Sequence, residues 1–326
     1  MANSCVAVLS RYASIDIGSN STLLLIVERK HRGGVRVLVD TKQSTKLSYG
    51  AAVGNAITQA GIKRQFAALD RIQDILANYH VAQIVMCATQ VFRVAGNGPE
   101  LAAEIVRRYG WKVEIIDGRQ EAELSYRAAA TGLTEVPQER VVFDVGGGST
   151  EIVSGREDRI NFADSFPIGA VKLAEACALT DRVNADKMKA AMSHLGTFLP
   201  ADSFATVPRG GYAIAVGGTA ATLAALKLGR QVFDPALIHG VILSREWLEK
   251  TTTDLSGMTV LERRERLIFD PDRAEIIVAG GLILNYLVEM LQCTSVTVSN
   301  RGLRWGVLLD RYSELAASMI KHEGSV

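Results

Sequence analysis

At 326 residues the chain is longer than one ordinary domain and long enough to fold as two, each with its own core. Its 48% apolar and 22% charged residues describe an ordinary globular protein rather than a disordered or fibrous one. A formal net charge of +1 argues against a wholesale nucleic-acid binder.

The opening, MANSCVAVLSRYASID, has no basic leader followed by a sustained apolar run, so no signal peptide is expected. YASIDIG and TLLLIVERK are β-rich runs flanking a Gly-Ser-Asn turn, and GVRVLVDTK follows the turn signal HRGG as a third strand. The next segment places Ile62, Phe66, Leu69, Ile72, Ile75 and Leu76 at helical spacing. AQIVMCAT is a short buried strand, and GPELAAEIVRRYG a helix with Pro99 near its start and Gly110 at its end. KVEIID is another strand and GRQEAELSYRAAATGL another helix. The order then restarts. RVVFDVGGGST, EIVSGRE and INFADSFPIG give strand, turn, strand, strand, with helices around 170–178 and 184–198. YAIAVGGT is a strand entering a Gly-rich turn, and AATLAALKLG a helix. RAEIIVAGGLILNYLVEMLQ reads as one long buried helix, too short and too charged at its edges to span a bilayer. SVTVS is a strand and GLRWGVLLDRYSELAASMIKH a closing helix. Both halves read βββ-α-β-α-β-α, the pattern of a duplicated α/β fold with a ligand cleft between its halves.

The duplication extends to a small acidic turn. SIDIGSNST (14–22) and VFDVGGGST (142–150) share the order apolar, Asp, apolar, Gly, two small residues, Ser-Thr. An Asp at the end of a buried strand must be paired, hydrogen-bonded or metal-bound. The glycines let backbone N–H groups close on an anion. Gly18, Ser19, Asn20 and Ser21 on one side, and Gly146, Gly147, Gly148, Ser149 and Thr150 on the other, form two halves of a phosphate clamp. Asp16, Asp144 and Glu151 are candidates to hold a hydrated Mg²⁺, or Mn²⁺ in its place; the need for a monovalent cation stays open. Gly217, Gly218 and Thr219 begin a third Gly-rich turn leading into a helix, whose N-terminus suits an anion. No Walker A sequence occurs, and GGGST is followed by a strand where a dinucleotide loop needs a helix. Cys5, Cys87, Cys177 and Cys293 are scattered, which fits reduced thiols in a cytoplasmic protein. Residues 1–134 carry 16 basic and 11 acidic side chains against 20 and 24 in the remainder, a bias compatible with a phosphate-rich ligand or with no function at all.

These strand–turn–strand loops resemble the actin, Hsp70 and sugar-kinase superfamily, and the wording resembles its exopolyphosphatase and guanosine pentaphosphate phosphohydrolase family (Ppx/GppA). The matching pieces are DIGSNS (16–21), ATQVFRVAGN (88–97), IIDGRQEAEL (115–124), FDVGGGSTEIV (143–153), SFPIGAVKL (165–173), AVGGTAATLAAL (215–226), IHG (238–240) and VSNRGLRWGVL (298–308). They keep the family's order across almost the whole chain. The resemblance implies duplicated actin-like (ribonuclease H-like) domains, one of residues 1–127 with 306–326 and one of 128–305, in the short two-domain form. It implies Mg²⁺-dependent removal of terminal orthophosphate from inorganic polyphosphate. Guanosine pentaphosphate hydrolysis is the alternative within the family, and a non-catalytic polyphosphate or alarmone sensor the alternative outside enzymes. No nucleic acid or membrane partner is implied, and a homodimer is. By its own context Glu121 is a helix-start carboxylate; the resemblance makes it the catalytic base. Arg93 becomes a phosphate ligand or transition-state stabiliser. Lys172 is either an outer chain contact or a solvated helix lysine, and His239 a structural residue. Two departures stand out: Gln120 replaces the family's first Glu, and Gln90-Val91-Phe92 precedes Arg93 where smaller residues are usual.

Overall fold

The structure, a computed structural model, describes residues 10–30, 33–50, 56–81 and 83–323. Cys5 and the opening residues 1–9 lie outside them. Two sheets form the frame. The first contains β1 (Arg11–Ile17), β2 (Ser21–Arg29), β3 (Val35–Ser44), β4 (Gln83–Ala88) and β5 (Val113–Ile115), in the order β3-β2-β1-β4-β5. The second contains β6 (Glu139–Val145), β7 (Thr150–Arg156), β8 (Arg159–Phe166), β9 (Tyr212–Val216), β10 (Ile242–Ser244) and β11 (Ser295–Val298), in the order β10-β11-β9-β6-β7-β8. Each sheet is an antiparallel three-strand meander whose first strand pairs in parallel with a later strand. The second differs by one added edge strand, β10. This is the duplicated α/β fold expected from the sequence.

The first half supplies α1 (Gln59–Asn78), α2 (Gln90–Val94), α3 (Gly98–Tyr109) and α4 (Gly118–Ala129). The second supplies α5 (Ala170–Ala176), α6 (Ala185–Phe198), α7 (Gly217–Lys227), α8 (Pro235–Ile238), α9 (Arg245–Ser256), α10 (Val260–Arg266) and α11 (Ile277–Met290). The chain ends its described part with α12 (Leu303–Arg311) and α13 (Ser313–Glu323). No helix among the described residues is long and apolar enough to cross a membrane.

Both faces of the central strands are covered, so those strands read as nearly continuous apolar runs. Ile15, Ile17, Leu24 and Ile26 face the helices α1 to α3. Tyr12, Leu25 and Val27 face the other way, against Leu124 and Ala128 of α4 and Trp305, Leu308, Leu315 and Met319 of α12 and α13. The second sheet buries one face under α5, α7, α9 and α11. Its other face, at Val142, Val153, Ile214 and Val216, meets Ala122, Tyr126 and Ala129 of α4. Helix α4 is therefore a partition touching both cores, and its first turn opens between the sheets.

Two expected helices differ in extent. The long helix foreseen from Arg273 begins at Ile277, because Asp270-Pro271 opens a 3₁₀ turn, Pro271–Arg273. The closing helix breaks at Tyr312, whose ring turns to pack on Tyr12 with centroids 4.8 Å apart.

Candidate active site

The two acidic turns close on identical hydrogen bonds: Gly18 N–H donates to Ser21 O at 3.0 Å, and Gly146 N–H to Ser149 O at 3.0 Å. The repeated wording is thus a repeated shape. The turns meet face to face, with the Cα of Gly147 against Ser19 and Asn20 and that of Gly148 against Ser19 and Gln90. Ser19 Oγ donates to Gln90 Oε1 at 3.4 Å, so the bulkier residue before Arg93 seals the seam between the loops. The back of the second loop is fixed by α5: Ala170 N–H donates to Gly146 O and Val171 N–H to Gly147 O, each at 2.9 Å.

A cleft of about 530 Å³ opens between the sheets. Its walls include Asp16, Gly18 to Ser21, Glu121, Asp144, Gly146 to Ser149, Glu151, Gly217 and Gly218. The third Gly-rich segment is not a turn ahead of a helix but the first turn of α7 itself. Gly217 adopts φ +86, and a Cβ there would lie 2.7 Å from Asp144 Oδ1, so glycine is required on both counts. Three expected residues stand off the cleft wall. Thr150 turns its hydroxyl to Ile168 O at 2.6 Å. Thr219 packs against Gly280 of α11. Arg93 sits behind Glu121, donating from Nη1 to Glu121 Oε2 at 2.9 Å and to Ile116 O at 2.7 Å.

Glu121 reaches the cleft because Asp117 caps α4, accepting from Gln120 N–H at 2.8 Å. Gln120 contributes its backbone to that cap while Glu121 lines the cleft, so the missing first Glu leaves the wall intact. Ser125 Oγ, one turn further along the helix, donates to Asp144 Oδ2 at 2.9 Å. Ser165 Oγ donates to Glu151 Oε1 at 2.7 Å. One helix thus supplies a carboxylate and also orients another from the facing sheet. Lys172 donates to Pro167 O at 3.0 Å and is not on the cleft wall. His239 accepts from Asn300 N–H at 3.3 Å through Nδ1, and burial pushes its pKa down to about 4, so it is neutral and structural.

Four carboxylates this close and this dry raise one another's proton affinity. Burial, with Asp144 nearby, pushes Asp16 up to about 7 against the pull of Arg304. Burial and Asp144 push Glu151 up to about 8. Burial and Glu151 raise Glu121 well above the ordinary carboxyl range, against the Arg93 guanidinium. Asp144 is raised by burial, with the Ser125 bond opposing. Asp16 and Glu151 hold protons when folded that the unfolded chain releases near pH 4. Stability from this source is present at low pH and is lost as pH rises through 7 to 8. The ion-free protein is expected to melt about 3 °C lower at pH 8.5 than at pH 7, with a divalent ion reversing the loss. Thermal melts of the wild type and Glu151→Gln, which should flatten the dependence, check this; a wild-type melting temperature that holds or rises over the interval contradicts it.

Among the described residues no three His, Cys, Asp or Glu side chains converge as direct ligands of one ion. The donors are hard oxygens, and Asp16 Oδ1 is buried without a hydrogen-bond partner. That set suits an ion that keeps most of its water and takes one or two carboxylates, as Mg²⁺ does. Asn20 Oδ1 and Arg273 Nε, of residues on the same wall, are likewise buried without hydrogen-bond partners, which is what a cleft shaped for a polar ligand leaves behind.

Sequence reading missed a further part of the cleft wall. Lys42 and Asp40 of β3, Asp270 to Arg273, and Arg304 line it. They lie far apart in sequence, and none carries a motif of its own. Phe233, Pro235, Ile238 and Phe269 give the cleft an apolar part.

Comparison with known proteins places this architecture. The chain is 29% identical over 314 residues to Exopolyphosphatase 2 of Mycobacterium tuberculosis, covering 92% of this chain and 98% of that one. It resembles the solved Ppx/GppA member from Aquifex aeolicus with a TM-score of 0.77 at 28% identity, covering 94% and 98% of the two chains. It resembles a solved exopolyphosphatase from Cytophaga hutchinsonii with a TM-score of 0.84 at 25% identity, covering 94% and 98%. The model of the Ppx/GppA phosphatase family matches residues 26–315, a span that takes in every cleft-lining residue from Asp40 onward. With that match over most of its length, the chain belongs to the Ppx/GppA phosphatase family.

Proposed function

We propose that this protein hydrolyses the terminal phosphoanhydride bond of inorganic polyphosphate and releases orthophosphate. The observation that carries the reading is Glu121, buried on the wall of a cleft whose two glycine turns meet across from it. Water oxygen bonds to the terminal phosphorus as the bridging P–O bond breaks, leaving a chain one phosphate shorter. Glu121 takes the water proton, and burial with Glu151 nearby raises its proton affinity for that task against the Arg93 guanidinium. Arg93 positions Glu121 by the 2.9 Å bond and fixes which carboxylate oxygen is free for water. The turns at 18–21 and 146–149 present backbone N–H groups and hydroxyls to the terminal phosphoryl oxygens. Asp16 and Asp144 would hold Mg²⁺ together with water, and the ion supplies charge neutralisation to the phosphates. The reading takes residues 1–127 with 306–326, and residues 128–305, as the units that close on the polymer.

A second reading, hydrolysis of guanosine pentaphosphate to the tetraphosphate, is favoured by one feature. Phe233, Pro235, Ile238 and Phe269 present a surface that a purely anionic polymer has no use for and a planar base does. Orthophosphate release with Mg²⁺ from short and long polyphosphate, guanosine pentaphosphate and ATP separates the two. Release from polyphosphate is the expected result; release from the pentaphosphate alone transfers the protein to the second reading. Binding without release from any substrate assigns a sensor instead of an enzyme.

A further inference from the structure

Besides the glycine turns, the cleft wall holds three cations, and each is already faced by a carboxylate. Lys42 Nζ donates to Asp270 Oδ1. Arg304 Nη1 donates to Asp40 Oδ1. Arg273 lies over the Cα of Gly218, with its Nε 3.7 Å from Asp270 Oδ2. Arg273 is only 7% exposed and its Nε has no hydrogen-bond partner, so this buried guanidinium on the cleft wall is held by the Asp270 ion pair with no hydrogen bond at Nε. Asp270 is central, because it touches one cation from each half of the molecule. Lys42 comes from β3 of the first sheet, and Asp270 and Arg273 come from the turn between α10 and α11. Their contact closes the cleft at that point. A burial cost and the nearby Arg273 lower the pKa of Lys42, so the two cations are crowded and Asp270 relieves that crowding.

We propose that Lys42 and Arg273 form an outer phosphoryl subsite and that Asp270 is an internal anion occupying it, which makes Asp270 a specificity-determining residue. The inference rests on the proposed phosphoanhydride ligand. A chain held by the glycine turns and extending outward meets Lys42 and Arg273 only by displacing the Asp270 carboxylate. A ligand that brings several phosphoryl charges to Lys42 and Arg273 offsets the lost pair. A single released orthophosphate, which is the product, brings too few and is not retained. Asp270 thereby favours long chains and limits product inhibition.

The test is titration calorimetry on the intact chain with pyrophosphate and with long-chain polyphosphate. Wild type, Asp270→Asn, Lys42→Ala and the double variant are compared. Asp270→Asn keeps the side-chain shape and is expected to tighten long-chain polyphosphate about tenfold and pyrophosphate by at least as much. Lys42→Ala is expected to weaken long-chain binding about tenfold, and the gain from Asp270→Asn should shrink in its background. If Asp270 serves only to hold the two halves together, Asp270→Asn weakens both ligands or changes neither, and the proposal is overturned. In Mg²⁺-free buffer binding is read without turnover, so the two ideas fail separately. A wild type that releases no phosphate, with tighter pyrophosphate binding in Asp270→Asn, removes the hydrolase reading and keeps the subsite. Normal hydrolysis with unchanged affinities does the reverse.

Discussion

Glu121→Gln is expected to lower kcat for polyphosphate by about 10³-fold while the protein folds as before. The amide keeps the size and one acceptor oxygen of the carboxylate, so the Arg93 bond retains a partner and α4 its place. What is lost is the group that accepts the proton of the attacking water. The same change removes a carboxyl that burial and Glu151 already strain. Its thermal stability is therefore expected to hold or rise, since the amide occupies the buried position without a charge. Glu121→Ala should lose turnover similarly but leave Arg93 without its partner. A glutamine variant with wild-type kcat removes Glu121 from the chemistry. A variant that unfolds assigns it a structural role instead. Steady-state kinetics and a melt at pH 8 decide between these outcomes.

The second large effect comes from a residue remote from the reacting atoms. Gly169→Ala is expected to lower kcat/KM about a hundredfold and cost about 2 kcal/mol of stability. A Cβ at Gly169 would lie 2.6 Å from Gly147 C, 2.7 Å from Gly147 O and 2.7 Å from Gly148 N. All three neighbours are backbone, and the loop they belong to is tied to α5 by the two 2.9 Å bonds from Ala170 and Val171. The methyl group cannot be accommodated by rotating a side chain, so the Gly146–Ser149 turn itself must move. Gly148→Ala is the informative contrast, since its Cβ would meet Gln90 Oε1 and Ser19 Oγ, ends of side chains that can swing aside. It should cost clearly less stability. Equal losses of stability in both variants would falsify the view that the α5 contact sets the loop position.

The frame of the molecule was legible because it rests on local signals. Strand alternation, helical spacing and the twice-used Asp-Gly turn belong to segments of ten to twenty residues each. Asp16, Asp144, Glu151 and the glycines were reachable from that pattern alone, and the cleft does gather them. Glu121 was not, because a carboxylate in the first turn of a helix is common; the family resemblance singled it out. Residues 229–272 went largely unread, since α8, β10 and α10 are short and take their form from packing. Tyr312 interrupts the closing helix with neither Pro nor Gly, through a contact with Tyr12 three hundred positions away. Lys42, Asp270, Arg273 and Arg304 share the same difficulty: each is an ordinary charged residue until folding sets it beside the others.

The way α12 and α13 return to the first sheet has a consequence for synthesis on the ribosome. Tyr12, Leu25 and Val27 are covered on one face by residues between Leu303 and Met319. The strands bearing them are translated long before their cover. From the end of α4 at Ala129 to Leu303, elongation takes roughly 10–35 s at ordinary rates. For that interval an apolar sheet face waits in the nascent chain with only Leu124 and Ala128 of α4 to cover it. The second half, continuous in sequence, can mature first and offer α4 a surface. Nascent chains stalled before residue 303 should therefore carry this face as a chaperone-binding site, and it should vanish once α12 has left the exit tunnel.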